Sequence, residues 1–525
     1  MALMDQRQIE PDATKKVDSI LEPQSDIPSD CTSGEIVQRP DALQRHLTSR
    51  QIQFIAIGGS IGTALFVNNA LAEMTIFMPV SAAFIQHASV WVDSAWGFMI
   101  GWNFCVFEGL LIPFEITALD MILSFWRDDI PAAAVISACI VLYARARITN
   151  VFGVKYFGEA EFWLAGGKLL LITILFLFTF ITMIGGNPQH DAYGFRNWSK
   201  PSPFVEYIST GDLGRFQGVL AALWQAAFTI VGPEYLACVA GEAQQPRKTL
   251  KTAFKSVYWR FGVFFIGGAF CVGIILPAND PTLLRVLGAG DTGTGASSPY
   301  VIAMTNMGIE VLPDLVNALL FTSIYSAGNA YVYTTSRSLH GLAQNGHAPK
   351  FFRKCTKDGV PIYCLAVALA FACLSFLKLG SGSVQVLTWL TNLITGGTLV
   401  TYIVVALAAR SCRIVGISWI ALIWLLGVEF FYGYAVFLNG RWDIGSFFSD
   451  YTMAFLAIAT FAGWKICKRT RFVRPQEADL VWARPAIDAH EAVMEEVDQV
   501  GVRERLMHTL RTKWKGGRST STGMV

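Results

Sequence analysis

Charge is scarce in this chain. Only 15% of its 525 residues are Asp, Glu, Lys or Arg, while 53% are hydrophobic and the mean hydropathy is +0.44. So few charges cannot cover the surface of a soluble protein of this length, and the composition is that of a polytopic membrane protein. Paired cysteines are missing too. The ten cysteines show no C-x-x-C spacing, and Cys105, Cys139, Cys238, Cys271, Cys364 and Cys373 fall inside apolar runs. That pattern argues against a disulfide framework and against a zinc site. The chain has no nucleotide-binding loop and no soluble catalytic segment, which disfavours ATP-driven transport and enzymatic activity. The expectation is therefore no catalytic residue, no metal and no cofactor. The net charge of +2 says nothing about nucleic acid, because the basic residues sit in interhelical loops and in the tail, and no nucleic-acid partner is expected. The segment before the first span is polar and acidic through Asp30, so no cleavable signal peptide is expected there.

What the chain does have is apolar runs. Crossing roughly 30 Å of hydrocarbon takes about 20 residues in a helix. Runs of suitable length lie near 51–67, 96–126, 130–146, 163–185, 216–240, 257–277, 311–335, 361–379, 384–409, 414–438 and 451–467, eleven in all. Residues 1–49 show no sustained periodicity and read as a disordered cytosolic tail. Its only lysines, Lys15 and Lys16, are either ubiquitin acceptors or a plain solvated pair. Residues 50–467 form the membrane domain and 468–525 a second tail.

Loop charge sets the orientation. Arg247, Lys248, Lys251, Lys255 and Arg260 crowd one loop, Lys350, Arg353, Lys354 and Lys357 another, and Arg145, Arg147 and Lys155 a third, so these three face the cytosol. The loops 186–215, 278–310 and 439–450 are poor in Lys and Arg and face outward. Lys465, Lys468, Arg469, Arg471 and Arg474 place the C-terminal tail in the cytosol. Eleven spans would then leave the N-terminus outside, yet Arg39, Arg45 and Arg50 argue for inside. One span is missing from the count. The place for it is after Val67, where Asn68-Asn69-Ala70-Leu71-Ala72-Glu73-Met74 joins the first run with no loop. Either a shortened second span forms a re-entrant hairpin there or a segment has been lost, and Glu73 at mid-bilayer would need a partner.

Two stretches weaken helices where spans should be strongest. Gly58-Gly59-Ser60-Ile61-Gly62-Thr63 puts three glycines in five residues of the first run, and Gly232-Pro233 interrupts the run at 216–240. Unwound backbone survives in lipid only where protein buries it or where it lines a cavity. Small residues also serve close helix packing. A pair of breaks at corresponding positions of two halves favours a binding site, because half-helix ends offer free amides to a carboxylate and free carbonyls to an ammonium. Both groups belong to an amino acid.

Several longer motifs carry a resemblance. Arg45-His46-Leu47-Thr48-Ser49-Arg50-Gln51 leading into Gly58, Asn69-Ala70-Leu71-Ala72-Glu73-Met74, Phe157-Gly158-Glu159-Ala160-Glu161-Phe162-Trp163, Gly241-Glu242-Ala243 followed by Pro246-Arg247-Lys248, and Ser326-Ala327-Gly328-Asn329 resemble, in order, the fungal amino-acid permeases of the amino acid–polyamine–organocation superfamily. The similarity runs from about Arg45 to about Arg484. It implies an all-α polytopic membrane fold of twelve spans, the first ten forming two inverted five-helix repeats of LeuT-like type. Members carry additional residues between the equivalents of Val67 and Asn68, so here the second helix is expected to be truncated by an internal deletion. They also carry a longer loop near Cys412–Gly416.

The resemblance implies a main-chain cradle for the substrate's α-amino and α-carboxyl groups at Gly58, Gly59, Ser60, Gly62 and Thr63, with Phe228 and Thr229 on the other side and Gly232 at the second break. Lys168, in Gly166-Gly167-Lys168, matches the helix on which related proton-coupled carriers place a lysine in lieu of sodium. The alternative is a lysine snorkelling to the membrane surface. Glu115 matches an acidic position near the substrate, or else partners polar groups of a neighbouring helix, and Glu234 is a candidate for substrate contact or gating. The implied function is import of L-amino acids by proton symport, driven by the proton gradient, through a carrier most similar to the general or dicarboxylic branch. A sensor without transport and an inactive truncated product are the rivals. Implied partners are amino acids, protons, the lipid bilayer and, on the cytosolic tails, ubiquitin and endocytic machinery. The implied location is the plasma membrane, with both termini cytosolic.

Overall fold

A computed structural model describes residues 65–494 apart from 128, 150–153, 200–203, 205, 207, 230–231, 244, 289–297, 357–358, 381–382, 411–414 and 439. The glycines of the first run lie outside the described residues. Every regular element among those described is a helix. In chain order they are α1 (Leu65–Phe77), α2 (Ala83–Trp91), α3 (Ser94–Leu123), α4 (Ala132–Thr149), α5 (Val154–Met183), α6 (Gly211–Thr229) and α7 (Pro233–Cys238). Next come α8 (Pro246–Ile275), the short α9 (Pro281–Gly288) and α10 (Pro299–Asn306), then α11 (Leu312–Gln344), α12 (Ile362–Leu379), α13 (Ser383–Ala409), α14 (Val415–Phe431), α15 (Ile444–Lys468) and α16 (484–494).

Among the described residues, five stretches are both long and apolar enough to cross a membrane: Trp163–Met183, Pro246–Ile275, Ile362–Leu379, Gln385–Ala409 and Ile444–Lys468. The chain is a multi-pass integral membrane protein. Two further helices, α3 and α11, have 30 and 33 residues, roughly 45–50 Å at 1.5 Å per residue. Their polar side chains turn inward, where other helices meet them. Helix α3 is the centre of the packing, touching α2, α4, α11, α12, α13 and α15. Glycine allows the closest of these approaches. A Cβ at Gly109 would lie 2.8 Å from the Phe371 ring of α12. Asn103 ties the helix to α13 by donating to the Gly397 carbonyl at 2.6 Å and to Thr401 Oγ1 at 3.0 Å.

Helix α1 settles the local form of the Val67–Asn68 junction. Leu65–Phe77 is one continuous helix of 13 residues, with no hairpin, and it packs against α2, α7, α8, α13 and α14. Leu71 and Met74 are fully buried in it, while Glu73 lies at the exposed surface within 3.5 Å of the Asn69 amide. Asn68 and Thr75 are buried with no hydrogen-bond partner for their side chains among the described residues.

At the face carrying the basic loops, the start of α3 is held by the end of α15. Asp93 caps α3 through Ala95 N–H, 2.9 Å, and pairs with Lys465. The Trp464 ring stacks on Phe98 at 4.1 Å. His347, in the turn after α11, sits edge-on to both rings, with Nε2 3.4 Å from Ser94 Oγ and Lys465 and Lys468 carried by the same helix end. Burial pushes its imidazole down to about 4. An unfolded imidazole takes its proton near pH 6.5 and this one only near 4. Its contribution is therefore complete above pH 6.5 and is lost as pH falls toward 4, about 3 kcal/mol in all. The thermal midpoint of the purified protein is expected to fall across that window, and His347→Gln to flatten the fall. An unchanged pH slope in the variant contradicts this.

Candidate functional site

The helix carrying Phe228 breaks where glycine and proline predict. Helix α6 is described as far as Thr229 and α7 begins at Pro233, preceded by Gly232 at φ 150°, ψ −35°. Only glycine adopts that backbone readily, and Pro233 supplies no N–H at the first position of α7. The Phe228 ring faces Phe114 of α3 at 5.2 Å, so the break lies against the middle of the central helix.

Around that point the interior is polar. Glu115 of α3 is 8% exposed and Lys168 of α5 is 6% exposed, and the lysine's charge acts on the carboxylate. Lys168 is thus placed inside the bundle, within electrostatic reach of an acid. Tyr143 of α4 stands over Glu115 and stacks on Tyr325 of α11 at 5.2 Å. Gly328 of α11 makes room for both, since a Cβ there would lie 2.0 Å from Tyr143 Oη and 3.3 Å from Glu115 Cβ.

A second group lies on the α7 side. Glu234 accepts a hydrogen bond from Tyr402 Oη of α13 at 2.8 Å, while its Oε1 has no hydrogen-bond partner among the described residues. Glu108 of α3 lies within electrostatic reach of Glu234 and Tyr235, and neither of its oxygens has a hydrogen-bond partner of ordinary geometry among the described residues. Tyr331 of α11 packs on Tyr235 at 5.9 Å and lies within electrostatic reach of Glu115, Glu108 and Glu234. It joins the two groups. Buried carboxylates demand a proton or a cation, because an unpaired charge away from water costs several kcal/mol. The cluster is therefore suited to holding an ammonium group, a proton, or each in turn.

Of the residues singled out from the sequence, Glu115, Lys168, Phe228, Gly232 and Glu234 surround this interior. Thr229 is the last described residue of α6, and Gly58, Gly59, Ser60, Gly62 and Thr63 lie outside the described residues. Glu108, Tyr143, Tyr331 and Tyr402 carry no motif. One signal was present: Glu108 and Glu115 are seven apart, so two helical turns put them on one face of α3. Asp120 is elsewhere, paired with Lys378 at the far end of α12. No cluster of metal-ligating residues occurs among the described residues.

The profile of the family described as amino acid permease matches residues 65–476. The general amino acid permease AGP2 of Saccharomyces cerevisiae is 41% identical over 503 residues, covering 85% of this chain and 84% of that protein. A proline-specific permease of Emericella nidulans is 32% identical, covering 87% and 91%, and the dicarboxylic amino acid permease of Saccharomyces cerevisiae is 31% identical, covering 86% and 81%. Among solved structures, a manganese transporter of Eremococcus coleocola superposes with a TM-score of 0.44 at 11% identity, covering 83% of this chain and 96% of that one.

Proposed function

We propose that this chain, which belongs to the amino acid permease family and so is an amino-acid transporter, imports L-amino acids by proton symport across the plasma membrane. The observation that carries the reading is the burial of Lys168 within electrostatic reach of Glu115, whose neighbour on α3, Phe114, meets Phe228 next to the break at 5.2 Å. A buried amine that meets an acid has two charge states of similar cost, which is what a proton carrier requires.

In this account the substrate's α-amino and α-carboxyl groups lie between the main chain of Gly58, Gly59, Ser60, Gly62 and Thr63 and the break at Phe228, Thr229 and Gly232. Glu115 draws the ammonium toward the centre, Lys168 takes up and releases the coupled proton, and Glu234 secures α7 through Tyr402 as the site opens and closes. Transport proceeds by rocking α1, α6, α7 and α8 against the other helices. The fold is then the twelve-span inverted-repeat type with its second span cut short. An alignment with AGP2 longer than 85% of 525 residues can fill supports that reading, since it means that gaps fall in this chain. Both tails are cytosolic, where ubiquitin and endocytic machinery would reach Lys15 and Lys16.

Adding an L-amino acid to proteoliposomes is expected to alkalinise the outer medium as protons enter with it, read by a pH-sensitive dye. Uptake without any proton movement contradicts symport.

A further inference from the structure

We propose that residues 471–494 form a clasp that keeps the cytosolic face of the transporter closed, and that releasing it speeds opening. This rests on the rocking movement proposed above. The clasp has anchors on both moving parts. On the central side, Val473 N–H donates to the Val92 carbonyl at 2.8 Å, and the fully buried Trp91 donates from Nε1 to the Asp479 carbonyl at 2.8 Å. These tie the chain leaving α15 to the turn between α2 and α3. Ala483 and Ile487 then bury their side chains in the main core, at 4% exposure each.

On the mobile side, α16 meets the start of α8. Arg247 Nη1 lies 2.6 Å from Asp488 Oδ1 and 2.9 Å from Glu491 Oε2. Glu491 Oε1 also accepts the Arg247 main-chain N–H at 3.1 Å, so one carboxylate caps the first turn of α8. An anion there is favoured by the free amides and by the helix dipole. Arg484 stands 6.0 Å over the Phe77 ring at the end of α1. Both α1 and α8 rock in the proposed cycle, while Trp91 and Val92 lead into α3. Any separation of these parts at the cytosolic face must break the α16 contacts or pull the tail from the α2–α3 turn. The acidic side chains on α16 and the basic start of α8 make the attachment reversible, because partly exposed ion pairs are weak and yield to salt. The family profile ends at residue 476, before α16 begins.

The test uses the full chain in lipid nanodiscs and follows amide hydrogen exchange across 484–494. Slow exchange is expected in the unaltered chain. R247E is expected to accelerate it by about fivefold, the scale of losing two partly exposed ion pairs, and adding D488R and E491R to R247E is expected to restore protection. Unprotected amides in the unaltered chain, or no change in R247E, overturn the attachment. In proteoliposomes R247E is expected to raise the initial uptake rate without moving KM; an equal or lower rate with α16 released overturns the gating role. If neither the unaltered chain nor R247E transports, the transporter reading falls while exchange still decides the attachment.

Discussion

Lys168→Met is expected to abolish proton-dependent accumulation of amino acids while leaving the protein folded and inserted. Methionine keeps the length and apolar stem of the side chain and removes the group that binds the proton. Lys168 is buried and its charge acts on Glu115, so the substitution leaves that carboxylate without its cation. The site then holds one fixed charge state instead of two. Accumulation against a gradient should fall at least about a hundredfold, the scale of losing several kcal/mol of charge stabilisation. Exchange of substrate across the membrane should persist at a reduced rate. Comparing uptake with and without an imposed pH gradient checks this. An unchanged pH response in Lys168→Met means that the lysine does not couple the proton.

The second large effect is expected at Gly232, where Gly232→Ala should cost at least about tenfold in uptake. Its φ of 150° admits glycine and strains any residue with a Cβ, by about 1–3 kcal/mol. The strain is relieved by rotating the peptide, and the rotation displaces two things at once. The Gly232 carbonyl accepts Tyr235 N–H at 3.2 Å, which starts α7, and the next turn carries Glu234 to Tyr402. The lesion should appear in uptake and in a lowered thermal midpoint together. Normal uptake in the alanine variant would mean that the break geometry is not used.

Five of the expected spans were legible in the sequence, because hydrocarbon imposes a length and a composition on them. The run read at 361–379 is the helix Ile362–Leu379, and the run at 163–185 contains Trp163–Met183. The break at Gly232-Pro233 was legible for the same kind of reason, since each residue has one strong backbone preference. Helix α11 ran further than its apolar part, to Gln344, because polar residues at its end are satisfied by the following loop, as when His340 Nδ1 meets the Phe352 carbonyl at 3.0 Å. The tyrosines of the interior could not be read. Tyr143, Tyr331 and Tyr402 come from α4, α11 and α13, and only folding brings them to Glu115, Glu108 and Glu234. The docking of α16 was hidden likewise, because Arg247 and Glu491 are 244 positions apart.

The central claim is that this chain carries amino acids across a membrane with protons. The most direct measurement is uptake of labelled L-amino acids by proteoliposomes containing the full chain, with insertion verified in the same sample. The account predicts accumulation that rises when the inside is made alkaline and collapses when a protonophore dissipates the gradient. No uptake by correctly inserted protein, at any gradient, would contradict it.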